Sequence, residues 1–590
     1  MKIPQTYYQQ QLEKYQIDLK KLKTKSLRIS VLRLFIFAVL IYAIYHYHTS
    51  AHAILLILLG GIPVFLFLVS QTENIKEAVA KTREFIKLNQ TELKVLNGNY
   101  NFLPAGEKFI NPEHYFSYDI DLFGQASFFQ YINRSSRFSA QKMLADLLTS
   151  NDIQHIEKKQ NAIKELTGKP DWRQKFLVSS RLNTSKIKTG QVTNWFQKYQ
   201  AFTDAKMYYG SMLFSLVSLV VMVLFYMHLI PEKILMIWIL LGLGIVGKYV
   251  KKIHKLSGEL DLIMPALHSY KQLMELIETE DFKSKLLQDK KAGATPEGKP
   301  VSQLINRFLK LYQQKEYSNN IIIKLVGNAL FLYDLFTSYR LEQWMAKHKQ
   351  EVAGWFALTD FFEAYTNLGG FAFNHPAYVF PKLNHSGTVI NAQQFGHPLI
   401  SASKRVNNEF YIRKNEFYII TGANMAGKST FLRTVSLGIV MANSGLPVCA
   451  QSFDYQPIKL ITSMRTSDSL SKEESYFFSE LKRLQFIVKE IEKEEYFIVL
   501  DEILKGTNSK DKAIGSKKFM EKLIRSNSTG IIATHDLSLC ELADYYPAIK
   551  NNFFDAEIIN DELFFDYRLK TGICQNMNAS FLLKKMKITE

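Results

Sequence analysis

Residues 421–430 read TGANMAGKST, which places Gly422, Gly427, Lys428 and Ser429 at the spacing G-x-x-x-x-G-K-[ST]. That spacing serves one kind of chemistry. Glycines let the backbone approach phosphate oxygens, and the amides that follow open a helix whose positive end faces the anion. Gly422, Ala423, Asn424, Met425, Ala426, Gly427, Lys428, Ser429 and Thr430 are therefore expected to cradle the phosphates of ATP. Lys428 would reach the β- and γ-phosphates, and the Ser429 hydroxyl would ligate Mg²⁺. Asp501 and Glu502 follow the apolar run YFIVL. There Asp501 can hold Mg²⁺ through water, and Glu502 can orient or deprotonate the attacking water. Asn424 is expected to help position that water. His535, after the run Gly530–Ala533, can sense the γ-phosphate.

These residues act together only if a scaffold brings them to one edge. Phe417–Ile420, Tyr496–Leu500 and Gly530–Ala533 are short apolar runs of the type found in strands buried on both faces. Loop, acid pair and histidine at successive strand ends predict a C-terminal ATPase domain with a doubly wound, mainly parallel sheet. The rest of the chain is read as helical, giving an α plus α/β protein. Phe116–Gly124 is read as a short strand and turn. Helices are expected over Ile75–Gln90, Ser127–Asn151, Ile153–Leu166, Leu256–Leu287, Val301–Tyr312, Ile321–Gln350 and Trp355–Leu368, with a loop over Asp289–Pro300.

The chain has 590 residues, too many for one domain, and a formal net charge of +18, which suits polyanionic partners, nucleic acid or anionic lipid. Its three cysteines show no C-x-x-C pairing, so neither zinc nor a disulfide framework is indicated. Leu34–Thr72 contains no charged residue and divides at a polar break into Val31–Tyr45 and Ala53–Ser70. Met207–Pro231 and Ile234–Val246 form a second pair around Glu232-Lys233. Each run approaches the ~20 residues that span a bilayer. Lysines precede the first run and follow the fourth, so the termini and both soluble parts are expected on the cytoplasmic side. The expected organisation is a basic segment at 1–28, a transmembrane hairpin at 29–72 and a first core part at 73–206. A second hairpin at 207–250, a helical lever part at 251–377 and the ATPase domain at 378–590 complete it.

The ATPase part resembles the MutS family of mismatch-repair ATPases. FGHPLI at Phe395–Ile400 matches that family's His-Pro motif, and T-G-x-N-M-x-G-K-S-T is its version of the phosphate loop, with Ala423 and Ala426 in place of the usual Pro and Gly. SLSKEESYFFSE at Ser469–Glu480 stands where the family has a segment reaching the neighbouring subunit's nucleotide, with Ser475 as its serine. DEILKGTNSKD at Asp501–Asp511, with Lys505 for the usual Arg, and ATHDLSL at Ala533–Leu539 continue the match. DLFGQASFFQYINRSSRFSAQKMLADLL is similar to the start of the family's core domain. The resemblance implies a dimer with composite ATP sites. The family's mismatch-reading and connector domains have no counterpart before that stretch, and Phe361-Phe362-Glu363 is read as core packing rather than a wedge. The C-terminal helix-turn-helix is expected to be absent or very short.

Three functions compete. The first is a membrane-anchored, MutS-like homodimer that hydrolyses ATP to switch a clamp on DNA or, alternatively, on a protein, with lysines along 251–299 as phosphate contacts or simply as a solvated or membrane-flanking face. The second is a membrane scaffold regulated by ATP. The third is an ABC-type transporter, disfavoured because Ser469–Glu474 lacks a Gly-Gly-Gln signature and the spans carry little polar lining.

Overall fold

The computed structural model describes residues 3–182, 189–465, 476–559 and 562–575. The N-terminal part is helical: α1 (Pro4–His46), α2 (Ala51–Leu96), α3 (Phe128–Ile132), α4 (Phe138–Thr149), α5 (Ile156–Thr167), α6 (Pro170–Leu182), α7 (Thr189–Lys198), α8 (Ala205–Tyr226), α9 (Glu232–Thr279), α10 (Lys285–Ala292), α11 (Val301–Glu316), α12 (Ile321–Phe331), α13 (Tyr333–His348) and α14 (Val352–Asn374). The C-terminal part adds β1 (Lys382–Leu383), β2 (Thr388–Phe395), β3 (Asn408–Arg413), β4 (Phe417–Gly422), α15 (Lys428–Asn443), β5 (Ser452–Tyr455), β6 (Lys459–Ser463), α16 (Tyr476–Ile491), β7 (Tyr496–Asp501), α17 (Ser509–Arg525), β8 (Thr529–Ala533), α18 (Leu542–Tyr545), β9 (Ile549–Phe554), β10 (Glu557–Ile559), β11 (Glu562–Phe564) and β12 (Leu569–Thr571).

The apolar runs are not separate helices. Each belongs to a longer one, and the expected boundaries at 28, 72 and 250 fall inside α1, α2 and α9. Helices α1 and α2 pair antiparallel over most of their length, with Leu40 against Gly61 and Tyr15 stacked on Phe85 at 4.4 Å. The apolar end of α2 exposes Leu56 and Leu59, whereas its far end buries Phe85, Leu88 and Val95 in the helical core. Likewise α9 exposes Met236 and Ile237 but buries Leu256, Leu260, Leu267 and Leu273. Phe214 of α8 stacks on Trp238 of α9 at 4.5 Å, and the Trp238 indole donates to Ser218 Oγ at 2.7 Å. Helices α1, α2, α8 and α9 are long and apolar enough to cross a membrane, and a bent pair, α12 with α13, meets the same measure when taken as one span.

Several expected elements differ. Phe116–Gly124 forms turns rather than a strand. Asp121 at φ 51° and Gly124 at φ 101° interrupt any extended run, and the Asp119 carboxylate accepts from Thr462 Oγ1 at 2.5 Å and Arg465 N at 2.9 Å. The helix expected over Ser127–Asn151 breaks between α3 and α4, where Arg134 turns inward to pair with buried Glu92 at 2.6 Å and Arg137 to pair with buried Glu363 at 2.6 Å. The helix expected over Leu256–Leu287 starts earlier and stops at Thr279. Glu165 then accepts from the amides of Lys283 and Ser284, at 2.8 and 2.7 Å, and fixes the break before α10. Helix α10 itself occupies the start of the expected loop at Asp289–Pro300. Ile321–Gln350 is two helices bent by 87° at Leu332, which adopts φ 46°. Phe361, Phe362 and Glu363 are buried in α14, as core packing requires.

The C-terminal part is built on a six-stranded sheet of order β12-β9-β4-β8-β7-β6. Its five strands from β9 to β6 run parallel, with β12 antiparallel at the edge. Alternation along each strand divides the apolar side chains by face. Ile420, Phe497, Val499 and Ile531 pack with Leu432, Val435 and Ile439 of α15. Ile419, Ile498, Leu500 and Ile532 pack with Leu484 and Ile487 of α16 and Met520 and Leu523 of α17. Helices therefore cover both faces, which is why these strands read as unbroken apolar runs. A second sheet, β1-β5-β2-β3, lies beside it.

Candidate functional site

Register places the chemistry. Ile420 pairs with Ala533, and Ala533 with Asp501, so the next residues along β4, β8 and β7 emerge together at one sheet edge. The row is locked by Thr534 N donating to Ile420 O at 3.0 Å and Glu502 N to Ala533 O at 2.9 Å. Beyond it the chain turns from β4 into α15 through the loop 422–427. Gly422 adopts φ 147°, and a methyl there would overlap the Phe554 carbonyl at 2.5 Å. Gly427 caps α15 at φ 105°. Three residues with side chains also adopt left-handed backbone here: Met425 (φ 67°), Glu502 (φ 50°) and Leu504 (φ 59°). Such conformations cost energy and collect where a ligand must be met.

Lys428 is buried, and its Nζ donates to the carbonyls of Gly422 and Ala423, each at 2.8 Å. It lies 3.4 Å from His535 Nε2. Burial pulls its pKa below the usual lysine value, opposed by the charges of Glu502 and Asp501. Ser429 Oγ donates to Asp501 Oδ2 at 2.7 Å. Glu502 Oε1 meets His535 Nε2 at 2.9 Å, with Lys505 Nζ 3.9 Å from its other oxygen. The His535 hydrogen bond is the main cause holding the Glu502 carboxyl down at about 2, against partial desolvation. Asn424, Met425 and Thr430 are exposed at the mouth of the loop, and Ala423 is half-buried. Ala426 is fully buried and absent from the left-handed residues, so its methyl strains nothing. Ser475 lies outside the described residues.

The donor set fits a magnesium nucleotide. Ser429 and Asp501 supply two neighbouring hard oxygens. Among the described residues no three His, Cys, Asp or Glu side chains gather as a cage. Mg²⁺ asks a protein for only one or two such ligands, taking the others from water and phosphate.

The sequence reading missed what braces this edge. Thr421 Oγ1 accepts from Cys574 N at 3.1 Å, and the Tyr567 ring would lie 3.1 Å from a methyl at Gly427. Arg433, one turn into α15, reaches the turn at 119–121, with Nε to the Asp119 carbonyl at 3.3 Å and the guanidinium 3.5 Å from the Asp121 carboxylate. Arg465 pairs with the same carboxylate at 2.5 Å. The signal was present in the alternating acids of SYDIDLF, but only the fold shows that they face the helix that opens on the phosphate loop.

The G-x-x-x-x-G-K-S loop, the acidic strand tip and the histidine stand on adjacent parallel strands, the arrangement that a P-loop nucleotide-binding domain requires. Residues 418–587 match the family model for MutS domain V. It is similar to MutS protein homolog 4 of Homo sapiens, with 29% identity over 212 residues covering 34% of this chain and 22% of that protein. It is also similar to DNA mismatch repair protein MSH4 of Arabidopsis thaliana, with 29% identity over 214 residues covering 35% and 27%. The match thus spans about a fifth to a quarter of these relatives' own length.

Proposed function

We propose that this protein is a membrane-anchored, MutS-like ATPase that binds and hydrolyses Mg²⁺-ATP to switch a homodimeric clamp on DNA, with its ATPase domain in the cytoplasm. The observation that carries the reading is the convergence of Lys428, the Ser429–Asp501 pair and the Glu502–His535 pair on one sheet edge. Lys428, now held by loop carbonyls, turns to the β- and γ-phosphates. Ser429 and Asp501 would hold Mg²⁺, which would supply charge neutralisation at the phosphates. Glu502 orients the attacking water, with Asn424 beside it. Its bond to His535 is a latch: a γ-phosphate that draws His535 away returns basicity to the carboxylate.

Nucleotide state has a built path out of the site. Arg433 on α15 and Arg465 after β6 grip the turn at 119–121, and that turn leads into α3 and α4 of the helical core. The same core is continuous with the apolar ends of α2 and α9. DNA as ligand is supported by the net charge of +18 and by the MutS relatives. Many of the lysines along 251–299 are exposed.

The test is ATP hydrolysis by the full-length protein in nanodiscs, alone and with homoduplex, mismatched or branched DNA. Lys428→Ala should abolish nucleotide binding. Glu502→Gln should retain ATP and lower turnover by roughly 10²–10⁴-fold. Stimulation by a DNA form supports the clamp on DNA. Glu502→Gln turnover equal to wild type would remove Glu502 from the mechanism, and hydrolysis indifferent to every DNA would remove DNA as the ligand.

A further inference from the structure

Helix α12 has the sequence IIIKLVGNALF, whose pattern alone predicts the start of one long helix over Ile321–Gln350. The structure instead turns it away from α13 by 87° and leaves its side chains outside the core. Ile321 is 80% exposed, Ile322 68%, Leu325 57% and Val326 46%. Burying such side chains is favourable, so water is a poor neighbour for this face.

The position of α12 says what covers it. Its C-terminal end is seated on the second apolar hairpin. Gly242 of α9 lacks a side chain where the Ala329 carbonyl approaches, and a methyl there would overlap it. Ser215 Oγ of α8 donates to the Phe331 carbonyl at 3.2 Å. Leu330 lines a cavity with Tyr226 and Ile239 of the hairpin. Gly242 lies six residues before Lys248, where the basic flank begins, which is ~9 Å along a helix. Helix α13 runs beside α8, with Tyr208 stacked on Phe336 at 5.3 Å and Tyr339 at 4.6 Å. An element perpendicular to α13 therefore lies across the hairpin rather than along it.

We infer that α12 is an in-plane membrane helix, immersed at the cytoplasmic boundary of the bilayer beside the second hairpin, and that its occupant is lipid. Helices of this kind sit ~5–10 Å into the boundary between headgroups and acyl chains, the depth at which Gly242 holds α12. Lys324, the one charge in the segment, has a stem long enough to reach the headgroups. The junction with α13 is rigid. Lys315 and Asp334 form a buried ion pair, Asn328 Nδ2 donates to Asp334 Oδ2 at 2.7 Å, and Asp334 N donates to Asn328 Oδ1 at 2.9 Å. The level of α12 in the bilayer therefore sets the position of α13 and of the core beneath it. This inference rests on the membrane reading of the second hairpin.

The three native cysteines are buried, so single introduced cysteines can be spin-labelled on the full-length protein. Ile322→Cys and Leu325→Cys would report on α12, Leu219→Cys on the hairpin and Lys310→Cys on a water-facing helix. In nanodiscs of mixed neutral and anionic phospholipid, collision with oxygen is compared with collision with a water-soluble nickel chelate. The oxygen-to-nickel ratio at 322 and 325 should match that at 219 and exceed that at 310 several-fold. Ratios at 322 and 325 equal to that at 310, with 219 still lipid-like, would overturn this inference alone. Protection of 322 and 325 from both reagents would overturn it in favour of a protein partner. A water-like ratio at 219 would overturn the membrane reading with it.

Discussion

A single methyl group, that of Ala426, shows how this phosphate loop divides its labour. The loop needs left-handed backbone, but Gly422, Met425 and Gly427 supply it, and Ala426 does not. The Ala426 side chain is buried against the core instead. Ala426→Gly is therefore expected to leave nucleotide affinity within about twofold of wild type. It should lower stability by roughly 0.5–1 kcal/mol, because glycine frees the unfolded chain and removes a packed methyl. Gly427→Ala should lower nucleotide affinity as well as stability, since at φ 105° an alanine strains the helix cap and its methyl crowds Tyr567 at 3.1 Å. Nucleotide titration beside a denaturation curve separates the two, and a large loss of affinity in Ala426→Gly would show that the methyl shapes the cradle after all.

At the scale of elements, the helical core is organised by charges that the hydrophobic pattern cannot reveal. Arg137 stands at the N-terminus of α4. It donates to Glu363 at 2.6 Å, pairs with Asp360 at 3.2 Å and bonds Ser180 at 3.2 Å, so it ties α4, α6 and α14 together. Desolvation acts to lower its pKa, yet the Glu363 carboxylate and the other neighbours hold it above the ordinary arginine value, and Asp360 is pushed up to about 6 by its own burial. Arg137→Ala leaves Glu363, fully buried, without its cation, and should cost about 3–5 kcal/mol. Arg137→Lys should recover part of that, and a thermal unfolding series of the full-length protein would check both. The same charges mark where sequence and structure part. Strands β4, β7 and β8 were legible because both faces are covered and their central residues form unbroken apolar runs. The site followed because strand ends are where loops begin. The breaks at Asn133–Arg137, Thr279 and Leu332 were not legible. Each is made by a side chain whose partner is distant in sequence, or by an αL residue that is not glycine. Helix periodicity runs straight through such positions.

For the whole molecule, the sheet edge gathers the loop 422–427, the Ser429–Asp501 pair, Glu502 and His535, and it remains open on the side where Asn424 and Met425 project. An exposed, left-handed methionine at the mouth of the loop is an expensive feature for an isolated chain. It is explained if a second copy closes the site, the role the MutS resemblance gives to Ser475. The idea can be tested without knowing the ligand. In a two-fold dimer, each composite site takes Lys428 from one subunit and Ser475 from the other. Lys428→Ala and Ser475→Ala dimers should each be nearly inactive, since every site carries one defect. When the two variants are co-expressed with different tags and purified through both, one site receives both defects and the other none. The mixed dimer should then recover about half of wild-type turnover. Sites built within single chains give the opposite arithmetic: each subunit keeps its own lesion, and mixing restores nothing.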